Sequence, residues 1–291
     1  MPSSATGADA RIPWLLLGPA ISAVIVFTLG PILFIGAYSV MTRLPSGAVT
    51  ADFSLESWRY LFSDLFYVQV LAKTVWMALV TTLLCALIGY APACFLVRQR
   101  PSVRNFLLLL IFLPSWISYV IRTMAWYPIL SREGLVNRGL EDLGLISAPL
   151  QLLYNDYSVY IGVIQYVLPF MIINIYVGLQ SVDQNLVSAA RTLAASAPKA
   201  FMTVTFPLAF PGLAAGSLLC FILAMGTYVT PMLLGGTSTT YYAKLIYDSI
   251  IVQNDWPVGA AVSIVLIVFL AAVVALYAGK FSLSNVLKGG R

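Results

Sequence analysis

Residues 181–216 read SVDQNLVSAARTLAASAPKAFMTVTFPLAFPGLAAG and lie between two strongly apolar stretches. Serine or alanine occupies seven of the ten positions from 188 to 197. A helix with so little side-chain bulk lets another surface approach its backbone closely. This stretch therefore predicts a segment that docks onto a partner, and the interpretation of the whole chain follows from it.

The same stretch contains the start signals of two short helices. Asp183 is a suitable N-cap for a helix that begins at Gln184. Ser196 is a suitable cap for a second helix, in which Pro198 occupies the first turn, where a missing N–H costs nothing. Pro207 and Pro211 are expected to break the run before the next apolar span. Connections between bundle helices usually take about 2–8 residues, so a folded loop over 181–206 indicates a partner.

Composition places the chain in a membrane. Of its 291 residues, 60% are hydrophobic and 9% are charged, whereas soluble domains carry about 25% charged residues. There is no histidine, which excludes histidine-based acid–base chemistry and histidine metal ligands. Cys85, Cys94 and Cys220 lie in apolar stretches and are expected to be small core residues.

The apolar runs predict an all-α membrane protein with six transmembrane helices, because a span needs about 20 apolar residues. The six-helix transmembrane domain is expected over 12–280, between tails at 1–11 and 281–291. A short interfacial helix is expected within 53–62, and one or two short helices within 131–157. The six predicted spans are 12–41, 67–97, 105–130, 158–180, a fifth from Pro207 or Gly212 to Leu234, and 258–278.

Charge orients these spans, which place both termini on one face of the membrane. That face carries two acidic residues, Asp9 and Asp183, against nine basic ones. The opposite face carries seven basic and nine acidic residues. The excess of basic residues predicts that the termini and the 181–206 loop are cytoplasmic. The nine basic residues are Arg11, Arg98, Arg100, Arg104, Arg191, Lys199, Lys280, Lys288 and Arg291.

The segment SAARTLAASAPKAFMTVTFPLAFPGL (188–213) resembles the cytoplasmic EAA loop of permease subunits of type I ABC importers. Two positions depart from the family pattern: Ser188 stands where the family usually has Glu, and Ala194 where it usually has Gly. The missing Glu removes one charge contact to the ATPase. By this resemblance, the residues that couple to the ATPase are Ser188, Ala189, Ala190, Arg191, Leu193, Ala194 and Ser196.

Five further segments look like the first of the two permeases in spermidine/putrescine-type importers: IRTMAW (121–126), SREGLVN (131–137), PLQLLYND (149–156), YVTPMLLGG (228–236) and NDWPVGAA (254–261). The resemblance implies a MetI-like six-helix permease in the bacterial inner membrane. It implies a second permease, two ATPase subunits that hold the ATP and Mg²⁺, and a periplasmic or lipid-anchored solute-binding protein. No cofactor, metal or nucleic acid is expected on this chain. GGTSTT (235–240) lacks the lysine of a P-loop.

Five residues are candidates for the translocation path: Arg122, Trp126, Tyr166, Tyr228 and Asp156. A charge within a span, such as that of Arg122, usually faces a cavity or a partner. Two alternatives are that Arg122 reaches the outer interface or pairs with an acid such as Asp156. The aromatic residues can contact an organic cation or simply pack.

The cargo is expected to be a polyamine, or otherwise an amino-acid, opine or phosphonate-like solute. Polyamine-type relatives often carry acids near the positions of Thr227 and Met232, which are uncharged here.

Two other classes of protein remain as alternatives. A stand-alone secondary transporter or channel would need ion-coupling acids in its spans, where Asp and Glu are essentially absent. An intramembrane enzyme would need a metal motif or a nucleophile elbow, and the chain has neither.

Overall fold

A computed structural model describes residues 14–45, 47–236 and 239–280. The predicted tails, with Arg11, Lys288 and Arg291, lie outside the described residues. In chain order the elements are α1 (Trp14–Tyr38), β1 (Met41–Arg43), β2 (Val49–Phe53), α2 (Glu56–Ser63), α3 (Leu65–Val97), α4 (Pro101–Phe112), α5 (Tyr119–Met124), α6 (Tyr127–Leu130), α7 (Leu135–Asp142), α8 (Asp156–Gln180), α9 (Gln184–Thr192), α10 (Ala197–Ala200), α11 (Phe206–Gly226), α12 (Val229–Leu234), α13 (Tyr242–Tyr247) and α14 (Trp256–Lys280).

The predicted membrane fold is confirmed. Five helical stretches of the described chain are long and apolar enough to cross a membrane: those of α1, α3, α8, the run 197–226, and α14. A sixth span forms if the bent pair Pro101–Trp116 and Tyr119–Asp142 is counted as one. α1 packs against α14 and leaves most of its apolar side chains exposed, with Phe27 81% exposed.

The core forms where α8 packs on α3 and α11. Val163, Val167 and Met171 of α8 are completely buried there. α8 and α11 approach each other closely because both carry glycine at the crossing. A Cβ on Gly178 would lie 2.6 Å from the carbonyl oxygen of Ala209, and one on Gly212 would lie 2.5 Å from that of Asn174.

The predicted third span over 105–130 is not a single straight helix. α4 ends at Phe112, a 3₁₀ turn follows at Leu113–Trp116, and the helical segments on either side meet at 91°. Pro114 causes the break, since it lacks the N–H that would continue the helix. The backbone of Ile117 and Ser118 is then extended, which turns the chain back.

The predicted break at Pro207 and Pro211 is also wrong. Helical structure continues from Ala197 to Gly226, with a π-helical turn at Phe201–Thr205. Pro207 falls in the first turn of α11, where proline is tolerated, and Pro211 is accommodated inside a membrane helix. The fifth span ends at Gly226 rather than Leu234, and α12 is a separate short helix.

The connections opposite the 181–206 loop are folded. The predicted helices within 53–62 and 131–157 are confirmed as α2 and α7. An antiparallel hairpin, in which Thr42 pairs with Thr50, was not predicted. Nor was helical structure in the polar 235–257 stretch, where α13 continues into a π-helical segment at Asp248–Val252.

Candidate coupling loop and translocation site

The start of α9 follows the sequence prediction. The Asp183 carboxylate accepts a hydrogen bond from the backbone N–H of Asn185 at 2.8 Å, and the helix begins at Gln184. The carboxylate satisfies one of the free N–H groups of the first turn and also complements the positive end of the helix. Val182, just before it, is buried, so the helix leaves the bundle from a fixed point.

The end of α9 explains why the family usually has glycine at position 194. The Ala195 N–H bonds to the Ala190 carbonyl at 3.1 Å, and the Ala194 N–H bonds to that of Arg191 at 3.0 Å. These two bonds form a Schellman motif, whose turning residue adopts a left-handed conformation. Ala194 has φ +59°, a conformation that glycine adopts with less strain.

The predicted coupling residues form one exposed surface on α9 and the turn after it. Ser188, Ala189 and Arg191 are exposed, and Ala190 is half-buried. Leu193 is 85% exposed, which is unusual for a leucine with no partner to cover it. Ala194 and Ser196 complete this exposed surface. Ser196 precedes α10 as predicted, but its hydroxyl makes no capping hydrogen bond.

Two interrupted spans meet at Tyr119. Its hydroxyl shares a 2.7 Å hydrogen bond with the Thr227 hydroxyl and another hydrogen bond with that of Thr230. Tyr119 begins the segment after the break in span three, and Thr227 lies at the break between α11 and α12. Irregular backbone at membrane depth is tolerated where protein or a water-filled cavity surrounds it. Tyr119 and Thr230 were missed by the sequence analysis, although both are polar residues beside helix breaks.

Arg122 braces the break in span three. Its Nη1 donates to the Pro114 carbonyl at 2.9 Å, and its guanidinium lies 5.9 and 6.0 Å from the ring centres of Tyr119 and Tyr166. Arg122 is 8% exposed, so it does not reach out to the interface. The predicted alternative of a pair with Asp156 is wrong, because that carboxylate is bound by Lys73.

Three of the five path candidates come together around this break. The Tyr166 ring lies 4.5 Å from that of Tyr119. The Trp126 indole N–H donates to Gln165 Oε1 at 2.6 Å. Arg122, Trp126 and Tyr166 therefore join one aromatic and polar cluster, the Tyr119 cluster, which also includes Gln165, Thr227 and Thr230.

Tyr228 and Asp156 lie elsewhere. Tyr228 is 40% exposed and stacks on Tyr247 with ring centres 5.2 Å apart. Asp156 accepts a hydrogen bond from the Tyr241 hydroxyl at 2.9 Å and pairs with Lys73 Nζ at 2.9 Å. Burial, together with the adjacent Asp156 carboxylate, raises the pKa of Tyr241. Asp156 therefore joins the ends of α3 and α8 to the 239–241 segment.

A cavity of about 810 Å³ opens on the face opposite the coupling loop, between the hairpin, α2 and the α13–α14 connection. Arg43 crosses it to pair with Asp255 at 3.1 Å and to donate to the Gln253 carbonyl at 2.8 Å. Glu56, Arg59 and Asp248 also line it, so its wall carries charges of both signs.

Comparison with known proteins agrees with this architecture. Residues 85–281 match the family model for the binding-protein-dependent transport system inner membrane component. The spermidine/putrescine transport system permease PotB of Haemophilus influenzae is 36% identical over 88% of this chain and 89% of its own. PotB of Escherichia coli K12 is 34% identical over 87% of this chain and 92% of its own.

The fold also has a counterpart among solved structures. A chain of a bacterial alginate ABC transporter, crystallised with an alginate pentasaccharide-bound periplasmic protein, superposes with a TM-score of 0.72 at 17% identity, covering 93% of this chain and 94% of that one. Both the family model and the relatives cover most of the chain. The protein therefore belongs to the family of binding-protein-dependent transport system inner membrane components and is a permease subunit of an ABC importer.

Proposed function

We propose that this chain pairs with a second permease and two ATPase subunits to move a small organic solute from a binding protein into the cytoplasm. The observation that carries the proposal is the exposed surface of α9 and its turn, with small residues around Leu193, which is 85% exposed. ATP and Mg²⁺ bind to the ATPase subunits, and hydrolysis takes place there rather than on this chain.

The path of the coupling signal follows from the helices on either side of the loop. Helical structure runs for 30 residues from Ala197 to Gly226, a rod of roughly 45 Å at about 1.5 Å per residue. Its far end adjoins Thr227, which bonds to Tyr119. Movement of α9 by the closing ATPases would thus reach the Tyr119 cluster, and nucleotide would shift the bundle between inward-open and outward-open states.

The face opposite the loop is the proposed meeting place with the binding protein. The hairpin, α2 and the α13–α14 connection stand together there, and the 810 Å³ cavity between them is lined by charges of both signs. The binding protein is periplasmic or anchored to lipid. The termini are on the other face, in the cytoplasm, and the chain crosses the bacterial inner membrane several times.

Polyamines are the first candidate cargo, because relatives that are 33–36% identical are named as spermidine/putrescine transport system permeases. A second candidate is an anionic or zwitterionic solute such as an amino-acid, opine or phosphonate compound. It is favoured by the buried Arg122, which contacts a backbone carbonyl and two aromatic rings, and by the uncharged Thr227 and Met232. A polycation would be expected to need carboxylates along its path.

The coupling proposal is tested by Ala189→Trp, which places a large ring on the exposed face of α9. We expect ATP hydrolysis by the reconstituted complex to continue or fall while ATP-driven uptake is lost, since the helix no longer fits its groove. Ala278→Trp is the matched control, because Ala278 is also exposed but lies at the end of α14. Normal uptake by the Ala189 variant, or uptake by this chain without any ATPase, would contradict the proposal.

The cargo is tested on the cognate binding protein. Its thermal unfolding is measured with polyamines, amino acids and phosphonates, because a ligand that binds the folded state raises the melting temperature. A shift with polyamines alone supports the first candidate, and a shift with anionic or zwitterionic solutes alone supports the second.

A further inference from the structure

A second cavity lies behind α9, on the side away from the exposed Ala189. Its volume is about 390 Å³, within the roughly 300–1,000 Å³ range of small-ligand sites. At about 30 Å³ per water molecule, it has room for roughly a dozen waters. Residues from the end of α3, the end of α8, α9 and the start of the 197–226 helix line it.

The charged side chains that line this cavity are all basic. Arg98 and Arg191 line it from opposite elements, and its lining includes no Asp or Glu. Neither arginine takes part in an ion pair within the part of the chain that the structure describes. Both arginines are exposed, and an anion in the space that they line would have two guanidinium groups within reach, whose geometry suits phosphate oxygens in particular.

The position of the cavity suits the same ligand. Arg98 directly follows the last residue of α3, and Leu179 belongs to the last turn of α8. The cavity therefore lies where two spans leave the membrane. Its wall is mixed, with hydroxyl groups from Ser188 and Thr205 and apolar surface from Val187 and Phe201. Basic pockets between spans on the cytoplasmic side are a recurring site for anionic headgroups.

We propose that a phosphate-bearing anion binds between Arg98 and Arg191 and joins the coupling helix to the end of α3. The cytoplasmic position rests on the function proposed above. The phosphate belongs either to an anionic phospholipid of the inner leaflet or to free inorganic phosphate, since both present the same oxygens to the arginines. Occupancy neutralises the two charges and holds α9 at a fixed distance from the bundle.

The first arm of the test measures lipid retention by the whole transporter complex without nucleotide. The complex is placed in nanodiscs of phosphatidylcholine with added phosphatidylglycerol, and bound lipid is counted by native mass spectrometry. Arg98→Gln and Arg191→Gln should each weaken retention roughly tenfold, because each removes a charge-assisted hydrogen-bonding partner. Arg100→Gln is the matched control: Arg100 is an exposed arginine of the same turn that does not line the cavity.

The second arm separates the two sources. Hydrogen exchange at the amides of α9 is followed in phosphatidylcholine discs with and without inorganic phosphate, and in discs that contain phosphatidylglycerol. Slower exchange with phosphatidylglycerol assigns the site to a lipid headgroup, and slower exchange with inorganic phosphate assigns it to the free anion. Lysine variants at both positions keep the charge and should retain part of the effect, which guards against loss through misfolding.

Two results would overturn the site. One is phosphatidylglycerol retention by the Arg98/Arg191 double variant equal to that of the Arg100→Gln control. The other is unchanged α9 exchange with both lipid and inorganic phosphate. These readouts are independent of transport. A complex that binds the anion but shows no ATP-driven uptake would contradict the proposed function and leave the site standing.

Discussion

Ala194 holds the most unusual backbone position of the coupling loop. It is the turning residue of the motif that ends α9, at φ +59°, and it carries a Cβ that the left-handed conformation disfavours. The exposed site tolerates the methyl group sterically, so the cost is one of backbone conformation rather than of packing. Substitution there therefore tests the backbone without disturbing contacts.

Ala194→Gly should stabilise the loop by about 1 kcal/mol, because glycine adopts the left-handed conformation freely. The measurement is the hydrogen-exchange protection of the α9 amides in the assembled transporter, which should rise. Ala189→Gly is the matched control within the same helix, and there glycine should cost about 1 kcal/mol. Loss of protection in both variants would rule out strain at position 194.

Arg122 donates a hydrogen bond to the backbone of its own span. Its guanidinium supplies a donor to the Pro114 carbonyl at the break in span three. Arg122→Met should therefore destabilise the protein by about 1–3 kcal/mol, since a buried carbonyl is left unpaired. The melting temperature of the purified complex measures this effect.

The control is Arg132→Met, at an exposed arginine of the next connection, which should change stability by less than about 0.5 kcal/mol. If Arg122→Met left the melting temperature unchanged and altered only the KM for the solute, Arg122 would line the path and would not brace the bend.

At the scale of elements, the crossing of α8 and α11 depends on two glycines. Gly178→Ala should force the helices apart, because its Cβ would lie 2.6 Å from the Ala209 oxygen and 2.9 Å from the Gly212 Cα. Overpacking of this kind costs about 1–3 kcal/mol, and the melting temperature and yield of the complex should fall. Gly139→Ala in α7 meets nothing within 4 Å and should instead stabilise by up to about 1 kcal/mol.

The elements also show where sequence reasoning succeeds and where it fails. A local signal was sufficient at the start of α9, where the Asp183 side chain acts on adjacent backbone, but the predicted cap Ser196 makes no such bond. The bend after Pro114 was missed because a proline alone is compatible with a membrane helix, and the hydrogen bond from Arg122 to its carbonyl is visible only in the structure. The continuation of the helix through Pro207 was missed because a π-helical turn precedes the proline, and composition does not reveal such a turn.

Sequence reasoning also covered only part of the candidate site. The predicted coupling residues are nearly contiguous in the sequence, and in the structure all of them except Ala190 are exposed. Gln165, Thr227 and Thr230 reach the Tyr119 cluster from α8 and the α11–α12 break, so only the tertiary fold brings them together. The alternative pairing of Arg122 with Asp156 was wrong because the partner of Asp156, Lys73, is 83 positions away along the chain.

At the scale of the whole molecule, the charges predict one orientation in the membrane. The turn between α3 and α4 and the first helical turn of α4 carry three arginines and no acid, whereas the connection that contains α7 carries three acids and two arginines. Alkaline phosphatase fused after Gly144 should be active, and the same enzyme fused after Arg100 should be inactive, because it folds only outside the cytoplasm. Fusions of a green fluorescent protein at the same sites should give the opposite result. Alkaline phosphatase activity of the fusion after Arg100 would show that the orientation is opposite to the predicted one.

The π-helical turn at Phe201–Thr205 sets the angular phase between the coupling helix and the rest of span five. The Phe206 N–H bonds to the Phe201 carbonyl, five residues back, so the turn holds one residue more than an α-helical register would. Each residue of an α-helix rotates the chain by about 100°. A deletion of one residue here would rotate the coupling helix by roughly that angle about the axis of span five. Leu193 would then point in a different direction. The direction in which the proposed ATPase-facing surface points therefore depends on the number of residues in this turn as well as on its side chains. Insertion or deletion of a single codon in the gene would change that direction in one step.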